Sequence, residues 1–245
     1  MNKNTTPAYS SLSNTALLTF PYKTESNDTA FLSADSDKEL AIMFLDIRNF
    51  TGLMETKPAR EVIHVVRRLF SMFGKIIQSF KGTVVEVAGD SLYAVFGMGS
   101  TIQEAINEGY QAAKMIFETI DLFNDTYSDR YDGRLLEIGI GFHTGNVIVS
   151  RVETENQKQL SVMGFAVNIA SRLQAKTKEL NNDMIISEEA YQLLNGKSVN
   201  HEQRTVSLQG VSSRQQVRLL GKPYYGSFSL REEETHLNYI IAYSG

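Results

Sequence analysis

The chain has 245 residues, 42% hydrophobic and 21% charged, with a net charge of −4 and no cysteine. That is enough for one good core at about 100–200 residues per domain, and the composition is ordinary for a globular protein. The acidic balance argues against tight binding to a nucleic-acid backbone or an anionic membrane surface, and the missing cysteines exclude disulfides and thiolate metal sites.

No run approaches the ~18 apolar residues of a spanning helix, and Met1-Asn-Lys-Asn-Thr-Thr-Pro7 is not followed by the apolar core of a secretory signal. A cytoplasmic location is compatible with all of this. Residues 1–37 are rich in Ser, Thr and Asn and read as a poorly ordered or arm-like extension. The body follows at 38–220.

It opens with Ala41-Ile-Met-Phe-Leu-Asp46, an apolar strand ending in one carboxylate. A buried Asp needs a partner, so Asp46 either caps the next turn or holds a cation. Pro58 suits the opening of a helix, in which Val62, Val66, Leu69, Phe70, Phe73 and Ile77 recur at helical spacing up to a stop at Lys81-Gly82. A strand-turn-strand from Thr83 to Phe96 then presents a second acid, Asp90, at its bend. Two acids at strand ends are enough for a hard cation such as Mg²⁺, which is held by one or two carboxylates plus substrate phosphates.

A second helix is expected from about Ile102 to Phe123. Leu135–Phe142 and Val147–Ser150 read as two strands, with Gly145-Asn146 as a hairpin turn between them. After a short strand into Val162-Met163, a helix runs from about Phe165 to Thr177. On it Asn168 and Arg172, four apart, share a face. Met184–Ile186 reads as a strand, Ser187 as an N-cap, and Glu188–Leu194 as a short helix. Strands at Thr205–Leu208 and Gln216–Leu220 close the body, and 221–245 form a C-terminal extension. Paired strands between helices predict an α+β sandwich with a largely antiparallel sheet.

Four segments occur in order: Phe44-Leu-Asp-Ile-Arg-Asn-Phe-Thr51, Gly89-Asp90-Ser-Leu-Tyr-Ala-Val-Phe96, Ile138-Gly-Ile-Gly-Phe-His-Thr-Gly145 and Met163-Gly-Phe-Ala-Val-Asn-Ile-Ala-Ser-Arg-Leu173. Together they resemble the signature segments of the class III nucleotide cyclases, the adenylate/guanylate cyclase catalytic domain. The resemblance implies a ferredoxin-like domain working as a head-to-tail homodimer with composite sites. Asp46, Asp90 and the carbonyl of Ile47 would hold two Mg²⁺ or Mn²⁺ ions. Asn168 and Arg172 would act on the same nucleoside triphosphate from the other subunit. Backbone N–H groups of Asn49, Phe50 and Thr51 would cradle the triphosphate at a helix start. A cyclase-like module without activity and a ferredoxin-like nucleic-acid binder are the rivals. The four retained side chains oppose the first, and the net charge opposes the second.

The family's base-reading positions fall on Glu86 and Ser161, with Phe165 beside them. A carboxylate only accepts hydrogen bonds, so Glu86 suits an N–H of guanine or uracil, or the cytosine amino group, better than N1 of adenine. Gln209-Gly210 stands where a Lys-Gly usually brings a triphosphate-binding lysine, and Arg214 is a possible substitute. The short extensions resemble the bacterial pyrimidine cyclases of Pycsar antiphage defence. UTP is therefore the favoured substrate, with GTP or CTP as alternatives.

Overall fold

The computed structural model describes residues 36–127, 135–154, 157–196 and 201–225. Most of both predicted extensions lies outside the described residues. The chain runs through β1 (Ser36–Ile47), α1 (Phe50–Thr56), α2 (Ala59–Ser79), β2 (Thr83–Ala88), β3 (Ser91–Phe96) and α3 (Ile102–Tyr127). It continues through β4 (Ile138–Thr154), β5 (Gln157–Met163), α4 (Phe165–Glu179), β6 (Met184–Ser187), α5 (Glu188–Gln192), β7 (Glu202–Val206) and β8 (Gln215–Leu219). The strands form one sheet in the order β2-β3-β1-β4-β6-β8-β7, with β5 paired to β4. Among these pairings only β4–β6 is parallel. The α+β architecture expected from the sequence is the one observed.

Alternation along β1 sorts its side chains onto two faces. Ala41, Met43, Leu45 and Ile47 pack beneath α2 and α3 against Leu69, Phe73, Ile106 and Ile116. Leu40, Ile42 and Phe44 face the other way, against Tyr93, Val162, Ala166 and Ala170 beneath α4. Asp46, next in that alternation, is the one carboxylate on the α4 side of the strand. A third cluster joins Ile169 and Leu173 of α4 to Ile185, Val206 and Val217 on β6–β8.

Two sequence expectations change. The hairpin predicted at Gly145-Asn146 is absent: β4 runs unbroken from Ile138 to Thr154, with Gly145 paired to Leu40 and Asn146 to Glu39. The glycine serves packing instead of a turn. A Cβ there would lie 2.9 Å from that of Ala166, so Gly145 lets α4 approach the sheet. Buried Thr144 fixes the register by donating from Oγ1 to the Leu40 carbonyl at 3.1 Å. The second change is the short separate α1 ahead of α2; Pro58 opens α2 as expected, standing at its N-cap with its carbonyl accepting the Glu61 N–H at 2.9 Å. The Ser187 cap holds as expected, Oγ accepting the Ala190 N–H at 3.3 Å.

Candidate active site

The C-terminal end of β1 meets the β2–β3 turn. Asp46 pairs with Ser91 of β3 on one side and Gly139 of β4 on the other. Its Oδ2 accepts a 2.7 Å hydrogen bond from Ser91 Oγ, which orients the half-buried carboxylate and leaves its other oxygen available. Gly89, at φ 60, makes the turn that brings Asp90 back over β1. The Ile47 N–H then donates to the Asp90 carbonyl at 3.0 Å, while the Arg48 N–H donates to the Glu137 carbonyl at 2.8 Å. In a trans peptide the C=O points opposite its N–H. The Ile47 carbonyl therefore turns away from β4 and toward the Asp90 side.

Burial, and then the negative charge of Asp46, raise the Asp90 carboxyl above the ordinary carboxylate range, with Arg48 acting in the opposite direction. Two acids at one corner, with a carbonyl oxygen on the same side, are an all-oxygen donor set of the kind hard divalent cations take. The residues present fit such an ion. Among the described residues, no three or more His, Asp or Glu side chains group as a metal site, at this corner or elsewhere.

From Asp46 the same sheet face leads to the base-reading candidate. Phe44 and Tyr93 stack with ring centroids 4.5 Å apart and planes 6° from parallel. Tyr93 is anchored by its hydroxyl, which donates to the Val162 carbonyl at 3.3 Å. Exposed Glu86 sits directly opposite Tyr93 in the β2–β3 ladder, so the two share a face. Glu86, the Phe44–Tyr93 stack and the Asp46–Asp90 pair thus follow one another along one surface.

The remaining candidates sit elsewhere. Asn49 caps α1 in the left-handed region at φ 53, and its carbonyl accepts the Leu53 N–H at 3.0 Å. The N–H groups of Phe50 and Thr51 in the first turn have no intrahelical acceptor. On α4 the buried side is Ala166, Ile169, Ala170 and Leu173; Asn168 and Arg172 are both exposed on the outer face. Phe165 is 59% exposed at the start of α4, as is Met163 at the end of β5. Ser161 alternates with buried Val162 and so lies on the Met163 side of its strand. Among the described residues, no hydrogen bond or ion pair joins Asn168 or Arg172 to Asp46 or Asp90. Arg214 is exposed between β7 and β8, beside a cleft rimmed by Glu188 and Glu189.

Residues 32–227 match the family model of the adenylate and guanylate cyclase catalytic domain. The chain belongs to this family. The cyclase domain is 29% identical over 161 residues to an adenylate cyclase of Anabaena cylindrica, covering 64% of this chain but 31% of that protein. It thus spans about a third of that relative's length. Among solved structures it resembles the guanylyl cyclase Cya2, with a TM-score of 0.68, 23% identity, and coverage of 78% of this chain and 95% of that one. It also resembles the adenylyl cyclase CyaB from P. aeruginosa, with a TM-score of 0.66, 23% identity, and coverage of 78% and 98%. A guanylyl and an adenylyl cyclase share the cyclase fold nearly equally, so the fold is silent about the base.

Proposed function

We propose that the protein converts a nucleoside triphosphate, UTP by preference, to the 3′,5′-cyclic nucleotide and pyrophosphate, as a signal in bacterial antiphage defence. The observation that carries the cyclase reading is the corner where Asp46, the Ile47 carbonyl and Asp90 converge. Asp46, Asp90 and Ile47 would hold two Mg²⁺ or Mn²⁺ ions. Bound there, such ions lower the pKa of the attacking ribose hydroxyl and neutralise charge on the leaving phosphates.

The chain's own groups supply the rest. The N–H groups at Asn49, Phe50 and Thr51 would bind the β- and γ-phosphoryl oxygens. Arg172 offers several donors in a planar fork, suited to the charge that builds on the α-phosphoryl oxygens as the ribose 3′-oxygen attacks and pyrophosphate departs. Asn168, able both to donate and to accept, would orient the ribose. Both project from the outer face of α4, which supports a head-to-tail homodimer in which the second copy completes each site.

Glu86 carries the base preference. Its carboxylate accepts the uracil N3–H, whereas adenine presents the lone pair of N1 to it. Ser161 and Phe165, near the β5–α4 junction, would meet the base from the partner side. GTP is the second reading, because guanine also presents an N–H to a carboxylate; CTP is the third, through its amino group. Incubation with ATP, GTP, CTP and UTP separately in Mn²⁺, with products resolved by mass, tests both levels. Cyclic UMP as the main product supports the proposal. Dominant cyclic AMP overturns the reading of Glu86, and no cyclic product from any triphosphate overturns the cyclase reading.

A further inference from the structure

The Ile47–Arg48 peptide, whose carbonyl faces Asp90, is held from behind by a segment far away in sequence. Residues 221–225 leave β8 and lie along the 181–183 loop, fastened at Gly221, Lys222, Tyr224 and Tyr225. Gly221 exchanges two hydrogen bonds with the Asn182 amide, its N–H to Oδ1 at 3.1 Å and its carbonyl to Nδ2 at 3.0 Å. The Lys222 N–H donates to Asp183 Oδ1 at 2.7 Å, and the Lys222 carbonyl accepts from the Asp183 N–H at 2.9 Å. The Tyr224 N–H donates to Asn181 Oδ1 at 3.1 Å. The Tyr225 N–H donates to Glu137 Oε1 at 2.7 Å.

This strap reaches the candidate active site by two routes. Through Glu137 it is one residue's length from Arg48, whose N–H donates to the Glu137 carbonyl. Through Tyr224 it touches the Arg48 side chain: the guanidinium lies over the Tyr224 ring, 5.4 Å from its centroid. Tyr224 is 6% exposed, the buried anchor of the strap. Arg48 Nη2 also donates to Thr177 Oγ1 at 2.7 Å, near the C-terminal end of α4. Thr177 Oγ1 in turn donates to the Gln174 carbonyl at 2.6 Å.

Gly139 makes the crossing possible. It pairs with Asp46 across the ladder, so its missing side chain would stand on the Asp46 face. A Cβ there would lie 2.5 Å from Thr177 Oγ1 and 2.7 Å from Tyr224 Oη, and closer still to Arg48 Nη2. The space a side chain would fill beside Asp46 is thus taken by the guanidinium and its two partners. One cation links the end of β1, the end of α4 and the strap.

We infer that Arg48 and Tyr224 are positioning residues: the strap, acting through the guanidinium, fixes the Ile47–Arg48 peptide so that the Ile47 carbonyl and Asp46 present their oxygens together. Neither residue touches substrate. This rests on the reading of Asp46, Ile47 and Asp90 as the metal-holding set. Groups that orient metal ligands typically change metal affinity by about 10–100-fold when removed.

The test uses the full chain with Mn²⁺ and pyrophosphate, a pair that needs neither a base nor turnover, and follows free Mn²⁺ by electron paramagnetic resonance. Tyr224→Leu keeps the bulk and removes the aromatic face, and is expected to weaken Mn²⁺ binding about tenfold. Tyr224→Phe keeps the face and is expected to stay within about threefold of the unaltered chain. Val206→Ala, a buried change in the β6–β8 cluster, controls for general loss of stability and is expected to leave Mn²⁺ binding within about twofold. Wild-type affinity in Tyr224→Leu, or an equal loss in Val206→Ala or Tyr224→Phe, overturns the inference while the cyclase reading stands. An unaltered chain that binds no Mn²⁺ overturns both.

Discussion

The β1–β3 corner and the outer face of α4 carry the two halves of the proposed site, and they are built differently. At the corner, Asp46 is held by Ser91, the Ile47 and Arg48 N–H groups are held by Asp90 and Glu137, and Arg48 is clamped between α4 and the 221–225 strap. On α4, Asn168 and Arg172 stand in solvent beside Phe165, which is 59% exposed. An arginine that must meet a phosphoryl group gains from a fixed, desolvated setting, and this chain by itself gives Arg172 neither. The corner is built by intramolecular contacts; in the proposal, a second copy covers the α4 face.

The largest effects should separate these halves by kind. Asp46→Ala and Asp90→Ala are expected to lower kcat by about a thousandfold and to abolish Mn²⁺ binding in the presence of pyrophosphate. Arg172→Ala is expected to lower kcat comparably, by about 10³-fold, as loss of an arginine acting on a phosphoryl group does, while leaving that Mn²⁺ binding intact. Loss of Mn²⁺ binding in Arg172→Ala would erase the distinction. A smaller effect belongs to the base. Glu86→Lys is expected to lower kcat/KM for UTP by about 10–100-fold, the weight of one hydrogen bond to a charged group, with little effect on Mn²⁺ binding.

How far the sequence reveals each half follows from the range of the contacts. Asp46, Asp90 and Asn168/Arg172 stand out as candidates because each sits in a local pattern (an apolar strand ending in an acid, a Gly-Asp turn, a helical i,i+4 pair), and the roles proposed for them come from the resemblance of the four ordered segments to the cyclase family. Arg48 as a clamp is not legible, because its partners Thr177 and Tyr224 lie 129 and 176 positions away, a separation that only the fold closes. Gly145 misleads for a related reason. Gly-Asn is a strong turn signal locally, but the Ala166 side chain crossing above β4 and the pairing with β1 decide its conformation. The Phe44–Tyr93 stack likewise follows from cross-strand register, which the apolar runs alone leave open.

The last effect is on stability, not catalysis, and concerns the packed body between the two regions. His143, whose Nδ1 lies 2.7 Å from Ser187 Oγ, is pushed down by burial to about 4 from 6.5. In that window the unfolded chain binds the proton and the folded chain does not, so stability falls as pH drops, by about 3 kcal/mol across it. Asp183 opposes this: burial raises it from 3.8 to about 6, so there the folded chain holds the proton and gains stability as pH drops. The two offset between about pH 4 and 6, and the unaltered chain should show a nearly flat unfolding free energy there. Asp183→Asn keeps an acceptor for the Lys222 N–H and removes the offset. Its stability should then decline steadily from about pH 6.5 to 4, measured by urea unfolding; a flat profile would contradict the assignment of His143.

The central claim is that one chain carries both halves of a site but joins its own half to a partner's. Mixing Asp46→Ala chains with Arg172→Ala chains tests it most directly, because a heterodimer then contains one site with an intact corner and an intact α4 face. Equal amounts, allowed to exchange subunits, should recover about a quarter of wild-type cyclase activity from two nearly inactive proteins. No recovery, in mixtures where heterodimers are shown to form, would contradict the account.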